Sequence, residues 1–168
     1  MSLELRISGI IRESIVDGPG IRFVVFCQGC PHRCEGCHNP QTHDFEGGNL
    51  CSTDRLLEEI KKNPILKGVT FSGGEPFCQP REFSELADGI LAMGMDIVVY
   101  SGYTFEELVE MSRTKPEIKE LMEKCHVLID GRFELEKRSL ALPFRGSTNQ
   151  RIIDLKESLK KGEVIEKE

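Results

Sequence analysis

The chain has no apolar run approaching the roughly 20 residues that a membrane helix needs. A bilayer-spanning helix is therefore not expected. It also lacks an excess of positive charge: 28 acidic residues outweigh 22 basic ones, for a net charge of -6. General nucleic-acid binding rests on Lys and Arg neutralising phosphates, so that class is not expected either. Met1 to Ile10 carries no signal-peptide pattern, and the expected compartment is the cytoplasm. The 7 cysteines are an odd number for a disulfide framework. In a cytoplasmic chain, clustered cysteines point instead to a metal or to catalysis. Cys51, Cys78 and Cys125 stand alone and read as buried or incidental thiols. Length sets a last limit. The 168 residues suffice for one domain with its own core. They fall short of the about 250 residues of a complete eight-unit β/α barrel.

What the chain does have is the run Cys27-Gln28-Gly29-Cys30-Pro31-His32-Arg33-Cys34-Glu35-Gly36-Cys37. Cys30, Cys34 and Cys37 are spaced C-x3-C-x2-C. Three close thiolates suit an iron–sulfur cluster, because soft sulfur ligands favour iron–sulfur chemistry. A cubane cluster has four irons, so three protein ligands leave one iron open. An open position marks a metal site built for chemistry, as it does for zinc. A fourth thiolate from Cys27 would fill that position. Cys27 ends an apolar strand and is expected to be a buried thiol rather than a ligand.

Apolar, β-branched runs predict strands over Ile21–Cys27, Gly68–Phe71, Met95–Tyr100, His126–Asp130 and Gln150–Asp154, with another over Leu5–Ile11. Between them, Ser52–Asn63 is an amphipathic helix capped by Ser52 or Thr53 and stopped by Pro64. A second helix opens at Pro80 and ends at Gly94. Thr104 with Glu107, and Thr114 with Glu117, are capping-box pairs for one or two helices up to Lys124. Gly131 to Asn149 shows no periodicity. A polar helix then runs into a tail expected to fray. Alternating strands and helices imply a parallel sheet with right-handed crossovers, here an open, partial β/α barrel over residues 1–155. Residues 156–168 form the polar helix and tail. In such folds the chemistry sits at the C-terminal ends of the strands. The cysteine loop, Ser72-Gly73-Gly74-Glu75-Pro76, Ser101-Gly102 and Asp130 all follow strands, so four chemically suggestive segments share one rim.

These residues resemble the radical S-adenosylmethionine superfamily. The cysteine spacing is similar to its cluster motif, and Gly73-Gly74-Glu75-Pro76 to its second hallmark. Val16-Asp17-Gly18-Pro19-Gly20-Ile21-Arg22-Phe23 and Cys37-His38-Asn39-Pro40 resemble the activating enzymes of glycyl-radical proteins. Asp130-Gly131-Arg132-Phe133 and Arg145-Gly146-Ser147-Thr148-Asn149-Gln150-Arg151 resemble, more narrowly, the activators of anaerobic ribonucleotide reductase. The resemblance covers about Val16 to Asp154. It implies a [4Fe–4S] cluster on Cys30, Cys34 and Cys37, with S-adenosylmethionine on the open iron. One electron from the cluster would break the sulfonium, giving methionine and a 5′-deoxyadenosyl radical that takes hydrogen from a glycine of the reductase large subunit. An electron donor such as flavodoxin or ferredoxin is implied, and a monovalent cation is a further cofactor seen in relatives. The resemblance gives roles to Gly73 and Gly74 at the methionyl group, to Gly36, Cys37 and His38 near the adenine, and to Ser101 and Asp130 at the ribose, carboxylate or cation. Glu75 is expected to prop its loop. Arg132 either neutralises a carboxylate or forms a structural ion pair. The stretch from Phe133 to Gln150, with Arg138 and Arg145, is expected to seat the reductase together with Asp17–Gly20.

Other readings remain open in the sequence. Four cysteines at x2, x3 and x2 could bind zinc, but structural zinc usually joins two C-x2-C units across a longer loop. An activator of another glycyl-radical enzyme, such as pyruvate formate-lyase, is the nearest enzymatic alternative, though those chains are usually longer. A radical enzyme for a small molecule is a third. His32 and His43 read as ordinary surface histidines.

Overall fold

The apolar runs form strands and the amphipathic stretches between them form helices. The computed structural model describes residues 3–32, 34–37, 40–139 and 141–167. Its elements are β1 (Glu4–Ser14), β2 (Arg22–Cys27), β3 (Asn49–Ser52), α1 (Thr53–Lys61), β4 (Gly68–Gly73), α2 (Pro80–Ala92), β5 (Asp96–Tyr100), α3 (Phe105–Ser112), α4 (Pro116–Lys124), β6 (Val127–Asp130), β7 (Arg151–Asp154) and α5 (Leu155–Lys161).

The strands make one open sheet in the order β3-β1-β2-β4-β5-β6-β7. β2, β4, β5 and β6 run parallel, joined through the helices. Both margins are antiparallel, which the expectation of a parallel sheet did not include. The reason at one margin is chain length. Residues 15–21 alone join β1 to β2, and a parallel pair needs a crossover of a dozen or more residues. The other margin returns through residues 131–150, whose described residues form no α-helix to carry a crossover. The described strands do not close into a barrel.

Strand alternation sorts the side chains onto two faces. Phe23, Val25, Cys27, Val69, Phe71, Ile97, Val99 and Leu128 face the helix layer and form the main core with Leu56, Phe83, Leu86, Ile90, Leu108 and Leu121. A smaller cluster of Val98, Val127 and Ile129, backed by Tyr100, Phe144 and Ile152, lies apart from it.

The helix starts follow the sequence with one exception. Ser52 Oγ caps α1 by accepting from Arg55 N. Thr104 and Glu107 make a full capping box on α3. The second predicted box does not form. α4 starts on Pro116, whose fixed φ suits the first helical turn, and Thr114 bonds back to Met111 O instead. The tail also differs from expectation. Asp154 N donates to Ile165 O and Lys167 N to Ile152 O, so the tail pairs with the outer edge of β7.

Candidate metal and cofactor site

The C-terminal ends of the parallel strands open onto a cavity of about 570 Å³, a normal size for a small-molecule site. Its lining includes Cys30, Cys34 and Cys37 after β2, Ser72, Gly73 and Gly74 at the end of β4, and Ser101 and Gly102 after β5. The three rim segments predicted after β2, β4 and β5 therefore meet in one space, and the segment after β6 reaches it through Gly131 and Phe133. Asp17 and the apolar Ile15 and Val16 enter from the β1–β2 turn, and Leu142 to Gly146 from the β6–β7 excursion.

Each segment is held by bonds that its sequence makes possible. The cysteine loop is tied down by Gly29 N to Thr42 O, 2.7 Å, and by Cys30 N to His43 O, 3.2 Å. Cys37 N donates to Cys34 O in a turn inside the loop. Burial raises the Cys34 thiol, and a hydrogen bond from the Phe133 backbone offsets part of that rise. Gly73 takes φ of 95°, which favours glycine, and a Cβ there would lie 2.6 Å from Cys27 N. A Cβ on Gly74 would lie 2.4 Å from Gly29 O. Gly74 is therefore required to be small by the protein itself, besides any ligand. Its N–H is already given to Cys27 O.

The remaining predicted site residues divide. Glu75 props the loop as expected: it is fully buried and accepts from Phe77 N, Ser101 Oγ and Gly102 N. Gly36 is not part of the cavity lining, and a Cβ on it would meet Leu135 at 2.7 Å. His38 lies outside the described residues, as do Arg33, Asn39 and Leu140. Asp130 is also placed away from the cavity. It sits two residues after Leu128 and so points toward the helix layer, where Oδ2 accepts from Phe105 N at the start of α3. Arg151 grips the same carboxylate, with Nη2 2.6 Å from Oδ2, and continues to Glu106 at 2.6 Å. Burial with these partners makes Asp130 a fold-holding group. Asp130→Asn is expected to cost about 1.5–3 kcal/mol in urea unfolding, the range for a hydrogen bond to a charged partner. Cofactor affinity of the folded fraction should be little changed. A normal unfolding midpoint with lost cofactor affinity would reverse the assignment. Arg132 forms an exposed ion pair with Glu107, 3.4 Å, the structural alternative given for it.

Some lining residues were not singled out in the sequence. Tyr100 donates from its hydroxyl to Phe144 O, 2.7 Å, and Phe144 holds a left-handed φ of 62°. Within Phe133–Gln150, Arg138 pairs with Ser147, and the Gln150 side chain bonds to Gly146 N and Gly131 O. His32 and His43 are not surface histidines. His32 has a side chain 4% exposed, and His43 Nε2 is buried without a partner among the described residues. The signal available for His32 was its position inside the cysteine loop.

The donor chemistry fits a cubane cluster. Among the described residues no three His, Cys, Asp or Glu side chains are gathered closely enough to hold one metal ion. A cubane asks for less crowding, because each thiolate binds a different iron corner. Three thiols of one loop around a shared cavity meet that requirement. Cys27 does not share it. Its side chain belongs to the main core, and burial first, then the charge of Glu75, raises its thiol well above the usual range.

Residues 16–153 match the family model described as a 4Fe-4S single cluster domain. The chain is 35% identical over 143 residues to the anaerobic ribonucleoside-triphosphate reductase-activating protein of Enterobacteria phage T4, covering 82% of this chain and 86% of that one. To the protein of the same name from Escherichia coli (strain K12) it is 32% identical over 144 residues, covering 81% and 90%. To the pyruvate formate-lyase-activating enzyme of Clostridium pasteurianum it is 38% identical over 114 residues, covering 62% of this chain and 48% of that one.

Proposed function

We propose a function from the premise that this chain belongs to the 4Fe-4S single cluster domain family and to the anaerobic ribonucleoside-triphosphate reductase-activating proteins: it is the activating enzyme that places a glycyl radical on such a reductase. The observation that carries this reading is the convergence of Cys30, Cys34 and Cys37 with Ser72–Gly74 and Ser101–Gly102 on one cavity at the strand ends. Cys30, Cys34 and Cys37 would hold the cluster, and S-adenosylmethionine would lie toward Gly73, Gly74 and Ser101. The cluster would supply the electron for reductive cleavage of S-adenosylmethionine, the chemistry by which a glycine of the reductase would lose a hydrogen atom. The hard chemistry belongs to the cofactors, and this chain binds, orients and shields them.

Its own residues suit those tasks. The cysteines offer soft donors. Ile15, Val16, Leu142, Pro143 and Phe144 give the cavity an apolar margin that limits water and can receive an extended segment of the reductase. Arg145 lines the same margin, bonded through Nη1 to Gln150 O with its buried Nε unpartnered among the described residues. The match to a pyruvate formate-lyase activator supports a second reading, but it spans under half of that protein. The reductase activators match over nearly their whole length.

The test is anaerobic. Reconstituted protein, S-adenosylmethionine, a reductant and purified anaerobic ribonucleoside-triphosphate reductase are expected to give a glycyl-radical signal by electron paramagnetic resonance. A signal only when pyruvate formate-lyase replaces the reductase would select the second reading. In the same assay, Arg145→Glu is expected to lower the radical yield about tenfold or more, as reversal of an interface charge does. Cleavage of S-adenosylmethionine without the reductase should persist. Equal loss of both would move Arg145 into the cofactor site or the fold.

A further inference from the structure

We propose that Glu75 and His32 form a clamp that fixes the cysteine loop against the Gly73–Gly74 segment, making His32 a positioning residue for the cluster. The proposal rests on the reading of Cys30, Cys34 and Cys37 as cluster ligands. Glu75 is fully buried, and a buried carboxylate is tolerated only when it is well supplied with donors. Its donors come from three different segments. Phe77 N, from its own loop, reaches Oε2 at 3.0 Å. Ser101 Oγ reaches both oxygens at 3.0 and 2.9 Å, and Gly102 N reaches Oε1 at 2.8 Å, both from the loop after β5. His32 Nε2 reaches Oε1 at 2.7 Å from inside the cysteine loop.

The imidazole is seated as well as bonded. It meets the Tyr103 ring edge-on at 4.5 Å between centroids. A Cβ on Gly102 would lie 2.3 Å from the His32 ring, so glycine at 102 makes the room that the histidine occupies. Between Gln28 and Cys37 no described residue belongs to a helix or strand. The thiols of that loop are aimed by turns and by ties to neighbouring segments. A site of this kind needs its ligands held by supporting contacts. His32 sits midway between Cys30 and Cys34 and supplies such a tie. Loss of His32 leaves Glu75 with its Phe77, Ser101 and Gly102 donors. The effect therefore falls on the cysteine loop and not on the fold.

The experiment compares full-length wild type with His32→Ala and His32→Gln, whose amide can reach the same carboxylate. Two measurements are made. The first is hydrogen exchange at the Cys30 and Cys37 amides in metal-free protein. The second is the rate at which reconstituted protein loses iron to an excess of chelator. His32→Ala is expected to show exchange and iron loss each about tenfold faster, the size of effect expected for losing a hydrogen bond to a charged group. His32→Gln is expected to recover most of both, and the urea midpoint should stay near wild type in all three. Wild-type exchange in His32→Ala would overturn the clamp. So would failure of His32→Gln to rescue together with a lowered urea midpoint, which would make the histidine a mere packing element. Failure of the wild type to take up iron would overturn the proposed function instead, and the exchange arm would still decide the clamp.

Discussion

Alanine at Cys30, Cys34 or Cys37 is expected to leave a colourless protein with almost no iron after anaerobic reconstitution, whereas Cys27→Ala should take up about four irons, as a cubane requires. The four cysteines lie close in sequence, yet the fold separates them. Cys27 alternates with Val25 and Phe23 on β2, and all three side chains enter the main core beneath the helices. Cys30, Cys34 and Cys37 come after the strand has ended and line the cavity. Burial raises the Cys27 thiol well above its ordinary value, which opposes the thiolate that a metal would need. Cys27→Ala should therefore cost about 1 kcal/mol of packing, a usual size for a small core change, and little cleavage activity. Iron content by metal analysis and the visible absorption of the cluster check both halves. A Cys27→Ala protein without iron would restore a four-thiolate site. Stoichiometric zinc in the wild type would end the cluster reading altogether.

The sequence makes the parallel half of this fold readable because its strands are buried. Val24, Val69, Phe71, Val98 and Val99 are almost fully enclosed, so their segments are continuous apolar runs between helices with clear stripes. β3 is four half-exposed or exposed residues and carries no such pattern. Strand direction at the margins was hidden for a different reason. Periodicity marks a strand but does not say which way its neighbour runs. At the site, the convergence of Cys30, Cys34 and Cys37 with Gly73–Gly74 on one cavity was legible because local spacing and strand ends put them there. Asp130 ends its strand as expected, but a residue there can face either side, and alternation with Leu128 turns its side chain toward the helices. His32 and Glu75 are 43 positions apart. No local pattern reports a pairing of that kind, and the same is true of Tyr100 with Phe144.

Asp96→Ala is expected to lower the free energy of urea unfolding by about 3 kcal/mol, toward the low end of the range for breaking a buried ion pair. Arg22 is fully buried, and its Nη2 lies 2.6 Å from Asp96 Oδ1. Burial lowers the Arg22 pKa and Asp96 opposes that, so the pair keeps the guanidinium charged inside the protein. The remaining donors are spent on the Asp17–Gly20 turn and on β4. Nη1 reaches Pro19 O at 3.0 Å, Nε reaches Thr70 Oγ1 at 2.8 Å, and Nη2 reaches Val69 O at 2.9 Å. Thr70 Oγ1 donates onward to Asp17 O at 2.7 Å. A line of bonds thus runs from Asp96 to the residue that enters the cavity beside the cysteine loop. Asp96→Ala strands the charge and loosens that line, so the glycyl-radical yield should fall along with stability. Iron uptake by the folded fraction should not, because the cysteine loop hangs from β2 and Glu75. Arg22→Met should cost less than Asp96→Ala, since an apolar replacement removes the buried charge instead of abandoning it. The double variant should then be more stable than the sum of the two single changes predicts. An Asp96→Ala protein within about 1 kcal/mol of wild type, which is the scale of an ordinary surface pair, would mean that the ion pair is dispensable.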